Sequence, residues 1–215
     1  MKIAFYEMYA LVCGREQMQI TWKMTKEFIR KDLYRNLESC SKKDVVKAFC
    51  SRNSTTGLLV YYRICHYFAG LEKRNVVQFL LHSFCYIRFM HLQERCGIEM
   101  SQRTEIGYGL RLPHKGGIVI HIKAVIGNNC EIMQGVTIGN NIMKSRDEVA
   151  VIGDQVLLCA GAKIIGKVTI GNTVIVGANA VVTHDIEDHM IVGGIPAKPI
   201  GKCDDRFVIN KGQQE

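Results

Sequence analysis

The chain has 215 residues, a formal net charge of +8 at pH 7 and 47% hydrophobic residues. This length allows one large domain or two smaller ones with a sizeable core. The positive charge is compatible with nucleic acid, an anionic membrane surface or a small molecule that carries phosphate. No nucleic-acid-binding motif is present, and the longest apolar stretch, residues 76–92, is interrupted by Gln78, His82, Arg88 and His91. We therefore expect neither a nucleic-acid partner nor a membrane span.

Nine cysteines are scattered along the chain without Cys-x-x-Cys or zinc-finger spacing. Several lie inside apolar segments, where a free thiol packs as a small hydrophobic side chain. The apolar residues 3–13 are broken by Glu7 and lack the basic leader and cleavage site of a secretory signal. We therefore expect reduced thiols and a cytoplasmic location.

Residues 1–98 are rich in aromatic, basic and long side chains, which predicts a helical domain. Ser41 and Asp44 have the spacing of a capping box at the start of one helix. Further helices are predicted at about 25–37, 57–69 and 76–95, with Gly70 and Gly97 as C-terminal stops. We expect the aromatic side chains of Tyr61, Tyr62, Tyr67 and Phe68 in a core or an interface. An alternative places segment 79–92 against a membrane surface as an amphipathic helix, but we expect no membrane contact.

Downstream of residue 98, an aliphatic residue occupies almost every sixth position. The column runs through Ile126, Ile132, Ile138, Ile152, Leu158, Ile164, Ile170, Val176 and Val182. Helices repeat apolar residues every three or four positions and strands every two, so a period of six requires a chain that turns a corner at that interval. Three such sides make a triangular coil of about eighteen residues, and stacked coils bury the column. The predicted fold class is α+β: a helical domain (1–98), a triangular hexapeptide-repeat solenoid of parallel strands (99–200) and a short C-terminal tail (201–215).

Small and turn-forming residues accompany this column. Glycine follows the aliphatic residue at Gly127, Gly139, Gly153, Gly171 and Gly177, and Asn or Asp occurs close by at Asn128, Asn129, Asp154, Asn172 and Asn179. We expect the glycines to relieve crowding near the corners, and the Asn and Asp residues to adopt left-handed corner conformations.

The period of six breaks at two places, and the first break predicts a catalytic residue. The step from Leu112 to Ile120 is eight residues, with His114 in the bulge, and the step from Ile138 to Ile152 is fourteen. Regular coils give rigidity, whereas extruded loops carry chemistry. Because a neutral imidazole can take a proton near neutral pH, His114 is the candidate general base. Glu99, nearly one coil earlier, is the candidate carboxylate that orients its ring.

Several stretches resemble the serine acetyltransferase family of hexapeptide-repeat acyltransferases. They comprise residues 106–120, 134–139, 160–166 and 193–198, together with Tyr62-Arg63-Ile64 and His66, which are similar to the family's Tyr-Arg-Ile-x-His. The resemblance implies a left-handed β-helix that forms a homotrimer or a dimer of trimers, with acetyl-CoA as co-substrate in a groove between neighbouring prisms. It implies that His114 is the general base and that Glu99 orients it. It further implies that Ala160 and Ala178 contact the pantetheine arm and that Lys198 meets a CoA phosphate.

Two departures from the family pattern leave the acceptor open. Pro113 precedes His114, where serine-specific members have Asp. Glu148 and Val149 fall where those members carry an Arg-His pair for the serine carboxylate, unless Arg146 takes that role. The predicted function is acetyl-CoA-dependent O-acetyl transfer to a small molecule with a hydroxyl group. That molecule is either L-serine, for cysteine biosynthesis, or a sugar of a capsular or exopolysaccharide precursor.

Two hypotheses lie outside acetyl transfer. A zinc solenoid similar to γ-carbonic anhydrase needs three converging histidines, for which His121, His184 and His189 are the candidates beside His114. His121 is seven residues from His114, and the other two lie beyond the last regular coil, so we expect no metal. A scaffold without enzymatic activity is the third hypothesis, and it predicts no CoA binding.

Overall fold

The computed structural model describes residues 20–144 and 147–203, which form four helices followed by fourteen short strands. The helices are α1 (Trp22–Leu37), α2 (Lys42–Cys50), α3 (Thr55–Ala69) and α4 (Val76–Cys96). The strands are β1 (Ile98–Met100), β2 (Glu105–Ile106), β3 (Ile118–Ile120), β4 (Val125–Ile126), β5 (Glu131–Ile132), β6 (Thr137–Gly139), β7 (Val151–Ile152), β8 (Leu157–Leu158), β9 (Lys163–Ile165), β10 (Thr169–Ile170), β11 (Ile175–Val176), β12 (Val181–Val182), β13 (Met190–Gly193) and β14 (Lys198–Lys202).

Local capping signals determine where the helices begin and end. The capping box of Ser41 and Asp44 at the start of α2 is confirmed. Helices α1 and α3 begin earlier than predicted because Thr21 and Ser54 cap them, each accepting a hydrogen bond from a backbone N–H of the first turn. At the other end of the helical part, Gly97 terminates α4 with a left-handed backbone, φ 62°.

The strands form three sheets that make the three faces of a prism. The first face contains β1, β3, β6, β9 and β12; the second contains β2, β4, β7 and β10; the third contains β5, β8, β11, β13 and β14. From β3 to β12 successive strands visit the three faces in turn. Neighbours within a face are parallel except for the final antiparallel pair of β13 and β14. The predicted triangular solenoid is therefore confirmed.

The aliphatic column lies inside the prism, where its members are at most 1% exposed. Strand register gives the length of each coil: Ile106 pairs with Ile126, Ile126 with Ile152, and Ile152 with Ile170. The coils therefore contain 20, 26 and 18 residues by position, yet the column stays aligned. The extra residues at both breaks in the period leave the prism as loops, as the sequence predicts.

Glycine is required on one edge because successive coils approach closely there. A Cβ on Gly127 would lie 2.5 Å from the carbonyl oxygen of Gly153, closer than atoms can pack. Beside these glycines, Asn128 donates its backbone N–H to Asp154, and Asp154 donates to Asn172 in the same way. The left-handed conformation is found at Asn129 and Asn179 but not at these residues. Asn and Asp at this edge thus serve mainly as hydrogen-bond links between coils.

Helix α4 presents an apolar face to the surface. Its exposed large side chains are Val76, Val77, Phe79, Leu80, Leu81, Phe84, Tyr86, Ile87 and Met90. The opposite side of the helix, around Cys85, Phe89 and Leu92, is buried in the main core. Within the described residues, no helix is long and apolar enough to cross a membrane.

The helical part ends at Cys96, and the prism begins at Ile98. The predicted domain limits at residues 98 and 200 stay predictions, and most of the predicted tail lies outside the described residues. The eight cysteines within the described residues are free thiols.

Candidate active site

One edge of the prism gathers the residues to which the sequence assigned acetyl transfer. We call it the third-to-first edge, because the chain there passes from the third face to the first. It consists of residues 114–117, 133–136, 159–162 and 177–180, one segment from each coil. His114, Ala160 and Ala178 all lie on this edge.

Backbone hydrogen bonds hold the four segments in one line. The N–H of Gly135 donates to the carbonyl of Gly116 at 2.8 Å, and that of Gly161 donates to Gln134 at 2.9 Å. Asn179 donates to Ala160 at 2.9 Å. Since neighbouring strands are about 4.8 Å apart, the edge extends roughly 14 Å from the coil of His114 to that of Ala178. His114 therefore lies at one end of a straight, regularly spaced edge.

His114 is exposed at the N-terminal end of this edge. The next residue, Lys115, is fixed because its Nζ donates to the carbonyl and side-chain oxygens of Asn53, at 2.9 and 2.8 Å. Gly116 follows with φ +103°, a conformation that favours glycine, and its N–H donates to Cys96 at 2.9 Å. The segment that carries the imidazole is thus anchored at two points to the helical part.

Glu99 lies on β1, exposed on the outer surface of the first face, where its Cα pairs with that of Val119. Among the described residues, no hydrogen bond joins Glu99 to His114. The orienting role of Glu99 stays a prediction.

A cavity of about 510 Å³ opens beside His114, between the helices and the first coil. The C-terminus of α1, the N-terminus of α3 and the coil contribute its walls. Its lining residues are Asn36, Leu37, Ser54, Thr55, Thr56, Arg111, Leu112, Pro113, His114, Glu131 and Met133. An acceptor molecule in this cavity would lie next to the imidazole.

Arg111 and Glu131 form an ion pair in this cavity that the sequence did not single out. Nη1 of Arg111 lies 2.9 Å from Oε2 of Glu131, and the two side chains are 33% and 3% exposed. Strand pairing brings the two residues together, because Arg111 forms a β-bridge with Glu131 on the third face. One signal in the sequence could have revealed this pair. The first coil is longer than eighteen residues, so positions twenty residues apart lie side by side.

A thiol also lies on the edge. Burial raises the pKa of the Cys159 thiol, and the negative charge of Glu131 raises it further. The protonated form therefore dominates at neutral pH, which disfavours Cys159 as a nucleophile. His114 remains the reactive group on this edge that the sequence predicted.

Lys198 lies near the opposite end of the edge from His114. It begins β14 and is paired with Gly193 in the hairpin of β13 and β14, with its side chain exposed. The hairpin is attached to the last coil, because Ala197 donates its N–H to the carbonyl of Val181 at 2.8 Å. The structure thus places Ala160, Ala178 and Lys198 in succession away from His114.

The second loop, between Ile138 and Ile152, contains positions 148 and 149, where the resemblance implies a site for the serine carboxylate. Glu148 is exposed, and its Oε1 lies 3.3 Å from Nζ of Lys167. Val149 is buried with 8% exposure. Arg146, the alternative candidate for this role, lies outside the described residues.

Two of the histidines considered for zinc, His121 and His184, have separate hydrogen-bond partners. Nδ1 of His121 accepts a hydrogen bond from the N–H of Lys123, and the ring of His184 contacts the carbonyl of Ala197 at 3.2 Å. No three His, Cys, Asp or Glu side chains within residues 20–144 and 147–203 are grouped so that they could hold a metal ion. The zinc hypothesis has no structural support in this part of the chain.

Comparison with known proteins agrees with this architecture. The family model described as bacterial transferase hexapeptide (six repeats) matches residues 150–184. Serine acetyltransferase of Escherichia coli K12 is 32% identical over 143 residues, which make up 66% of this chain and 50% of that protein. Serine acetyltransferase 2 of Arabidopsis thaliana is 35% identical over 139 residues, or 65% of this chain and 41% of that protein. The chain spans about half the length of the curated relatives it matches.

Solved structures show the same fold. The crystal structure of Neisseria gonorrhoeae serine acetyltransferase in complex with serine superimposes with a TM-score of 0.64 at 25% identity, covering 91% of this chain and 74% of that chain. A serine acetyltransferase in complex with CoA gives a TM-score of 0.62 at 22% identity, covering 83% of this chain and 71% of that chain. At 22% identity, the similarity to the CoA complex shows a shared fold and nothing more.

Three parallel faces joined at intervals of six residues define a left-handed β-helix of the hexapeptide-repeat class. The helical part precedes this prism along the chain. The chain is similar to serine acetyltransferases in both sequence and fold.

Proposed function

We propose that the chain is an acetyl-CoA-dependent O-acetyltransferase in which His114 is the general base. The third-to-first edge carries this proposal, because His114, Ala160, Ala178 and Lys198 follow one another in this order along it. Small side chains on the edge leave room for an extended pantetheine arm, and a lysine suits a phosphate group. The names of the relatives, and the CoA complex of a structural neighbour, support acetyl-CoA as the co-substrate.

In the proposed reaction, Nε2 or Nδ1 of His114 accepts the proton of the acceptor hydroxyl while its oxygen attacks the thioester carbonyl. The carbon–sulfur bond breaks as the ester forms. The imidazolium then returns the proton to the departing sulfur, so that CoA leaves as a thiol and the histidine is regenerated. Glu99 would stabilise the imidazolium and select the ring tautomer if it reaches the other nitrogen.

The assembly is part of the same proposal. In a homotrimer, or a dimer of trimers, the exposed third-to-first edge would face a neighbouring prism, and the co-substrate would lie between the two. We also infer a cytoplasmic location, which the free cysteines support.

Two acceptor classes fit this chemistry. The relatives support L-serine, since their names and the serine complex of a structural neighbour indicate that substrate. A sugar hydroxyl is favoured by the second loop, where Glu148 and Val149 provide no cation for a carboxylate. A carboxylate at position 148 would repel the serine carboxylate.

Substitution of the base tests the proposal. We expect His114→Ala to lower turnover by about a hundred- to ten-thousand-fold, measured as CoA thiol release with L-serine and a panel of sugars. The CoA-induced shift in melting temperature should remain, because the segments around Ala160 and Ala178 are unchanged. His91→Ala, on α4 and away from the edge, is the matched control and should keep full turnover. Unchanged turnover of His114→Ala would remove the mechanism.

A further inference from the structure

A buried carboxylate beside the candidate base remains unexplained by acetyl transfer alone. Glu131 starts β5 on the third face, with its neighbour Ile132 in the core. Its side chain is 3% exposed, and it lines the cavity next to His114. Placing a carboxylate in such a site is costly unless it is paired and hydrogen-bonded. Its charge therefore needs a partner within the protein.

Only one of the two oxygens of Glu131 has a partner in the described part of the chain. Oε2 accepts a hydrogen bond from Nη1 of Arg111 at 2.9 Å. No group in residues 20–144 or 147–203 donates a hydrogen bond to Oε1. A carboxylate oxygen left without a donor at a cavity wall is a strong acceptor for a ligand's hydroxyl group.

The arginine side chains around Glu131 already have partners within the protein. Arg111 is paired with Glu131, and Arg35 on α1 donates to the carbonyls of Gly109 and Cys130, at 2.7 and 3.3 Å. The pair of Arg111 and Glu131 is neutral as a unit and offers guanidinium donors beside a carboxylate acceptor. The first turn of α3 adds backbone N–H groups that have no partner within the helix.

This arrangement matches a molecule that carries neighbouring hydroxyl groups. Each hydroxyl both donates and accepts, so adjacent hydroxyls can donate to Oε1 of Glu131 and accept from Arg111. An amino acid would instead need an unpaired cation for its carboxylate. The second loop does not provide one at position 148 or 149, where Glu148 and Val149 stand.

We propose that Arg111 and Glu131 recognise the acceptor, and that this acceptor is an uncharged polyhydroxyl compound, a sugar unit, held in the cavity beside His114. The proposal rests on the proposed acetyltransferase function and narrows its substrate class. Glu131 binds one hydroxyl through Oε1, Arg111 holds the carboxylate in place and contacts a second, and a third hydroxyl faces the imidazole.

The test is CoA thiol release by the full chain with acetyl-CoA and the methyl glycosides of glucose, galactose, mannose and rhamnose, compared with L-serine. We expect at least one glycoside to be acetylated in preference to serine. Glu131→Gln should lower kcat/KM for that glycoside by about 10- to 100-fold, mainly through KM, because it removes a hydrogen bond to a charged group. The KM for acetyl-CoA should not change. Glu187→Gln, an isosteric change at an exposed glutamate on another edge, should behave as the unmodified chain.

The outcomes separate the two proposals. If serine is the preferred acceptor, or if Glu131→Gln leaves kcat/KM for the glycoside unchanged, polyhydroxyl recognition fails while acetyl transfer stands. If neither serine nor any glycoside releases CoA, both proposals fail. Should Glu131→Gln not fold because Arg111 is left unpaired, the double variant Arg111→Gln/Glu131→Gln keeps a neutral hydrogen-bonded pair and should show the same loss.

Discussion

Arg63 on α3 and Asp32 on α1 form a buried ion pair that connects the helical part to the prism. Nε of Arg63 lies 2.7 Å from Oδ2 of Asp32, and both side chains are 2% exposed. The remaining guanidinium nitrogens donate to the carbonyls of Ile106 and Gly107, at 2.5 and 2.6 Å. Asp32 also accepts the backbone N–H of Leu110 at 3.0 Å. The pair therefore satisfies backbone groups of the first coil that no neighbouring strand could reach.

Removal of the guanidinium should destabilise the whole chain. Arg63→Met leaves the Asp32 carboxylate buried without its cation, which costs about 3–5 kcal/mol in the free energy of unfolding. Denaturant unfolding followed by circular dichroism measures the loss. Adding Asp32→Asn should recover part of the stability because no charge is then buried. A loss below about 1 kcal/mol for Arg63→Met would show that the pair is peripheral.

The tight edge of the prism gives a second prediction, with a control from the same motif. Gly127→Ala would place a Cβ 2.5 Å from the carbonyl oxygen of Gly153 and from a side-chain oxygen of Asp154, so the coils must separate. We expect a loss of about 1–3 kcal/mol. Gly139→Ala should be nearly neutral, because its nearest neighbour, a methyl group of Thr137, would lie 3.8 Å away. Equal melting temperatures for the two variants would contradict this account.

Blocking the third-to-first edge should prevent CoA binding without unfolding the prism. Ala178 is exposed, so Ala178→Leu should leave the melting temperature unchanged. The larger side chain should raise the Kd for CoA at least about tenfold, which corresponds to roughly 1.4 kcal/mol. Thr183→Leu, also exposed but on a different edge, is the matched control and should bind CoA normally. Calorimetric titration of both variants with CoA measures the two Kd values.

Charge reversal at the far end of the edge should weaken co-substrate binding through electrostatics. We expect Lys198→Glu to raise the KM for acetyl-CoA several-fold at low salt, since an attraction to phosphate becomes a repulsion. The difference should shrink as salt is added, because exposed charges are screened. Lys202→Glu makes the same change in net charge on the same strand. If both variants have the same KM, long-range charge rather than a phosphate contact is responsible.

His66 should make the stability of the chain sensitive to mild acid. Its ring hydrogen-bonds the carbonyl of Gln102 at 2.7 Å, and Nε2 lies 3.8 Å from a carboxylate oxygen of Glu105. Burial lowers the pKa of His66 below its ordinary value of 6.5, and the charge of Arg63 also lowers it, although the Gln102 hydrogen bond opposes the shift. Below pH 6.5 the unfolded chain therefore takes up a proton that the folded chain resists, and stability falls.

The corresponding experiment compares melting temperatures of the unmodified chain and of His66→Asn between about pH 7.5 and 5.5, a window above most carboxylate titrations. The asparagine keeps a donor for the Gln102 carbonyl but does not titrate. Its melting temperature should fall less on acidification. Parallel curves for the two proteins would mean that the His66 ring is protonated equally in the folded and unfolded chains.

The sequence predicted the prism well because its signal is periodic and local. The aliphatic residues spaced by six on either side of the break between Ile138 and Ile152 could be assigned to the core without knowledge of any contact, and the two breaks in the period located both loops. Helix starts at Thr21 and Ser54 were missed because a capping residue is a weak signal without a following acidic residue.

The cavity beside His114 could not be predicted in the same way. A uniform coil of eighteen residues would place Arg111 beside Asn129, whereas the first coil has twenty residues and places it beside Glu131. The ion pair depends on that register shift. Similarly, the Tyr-Arg-Ile-x-His resemblance gave no role to Arg63, because its partners are Asp32 on another helix and carbonyls of the prism. Contacts between the two parts of the chain carry no local pattern.

In the 26-residue coil between Ile126 and Ile152, packing constrains the strands but not the length or sequence of the loop between them. Its strands resume the same alignment after the loop, and Ala150 re-enters the core with 0% exposure. The loop residues can therefore be lengthened, shortened or exchanged while the stacked faces on either side remain in place. A lineage of such proteins could in this way acquire a new acceptor by exchanging one surface segment, with the folding of the prism left intact.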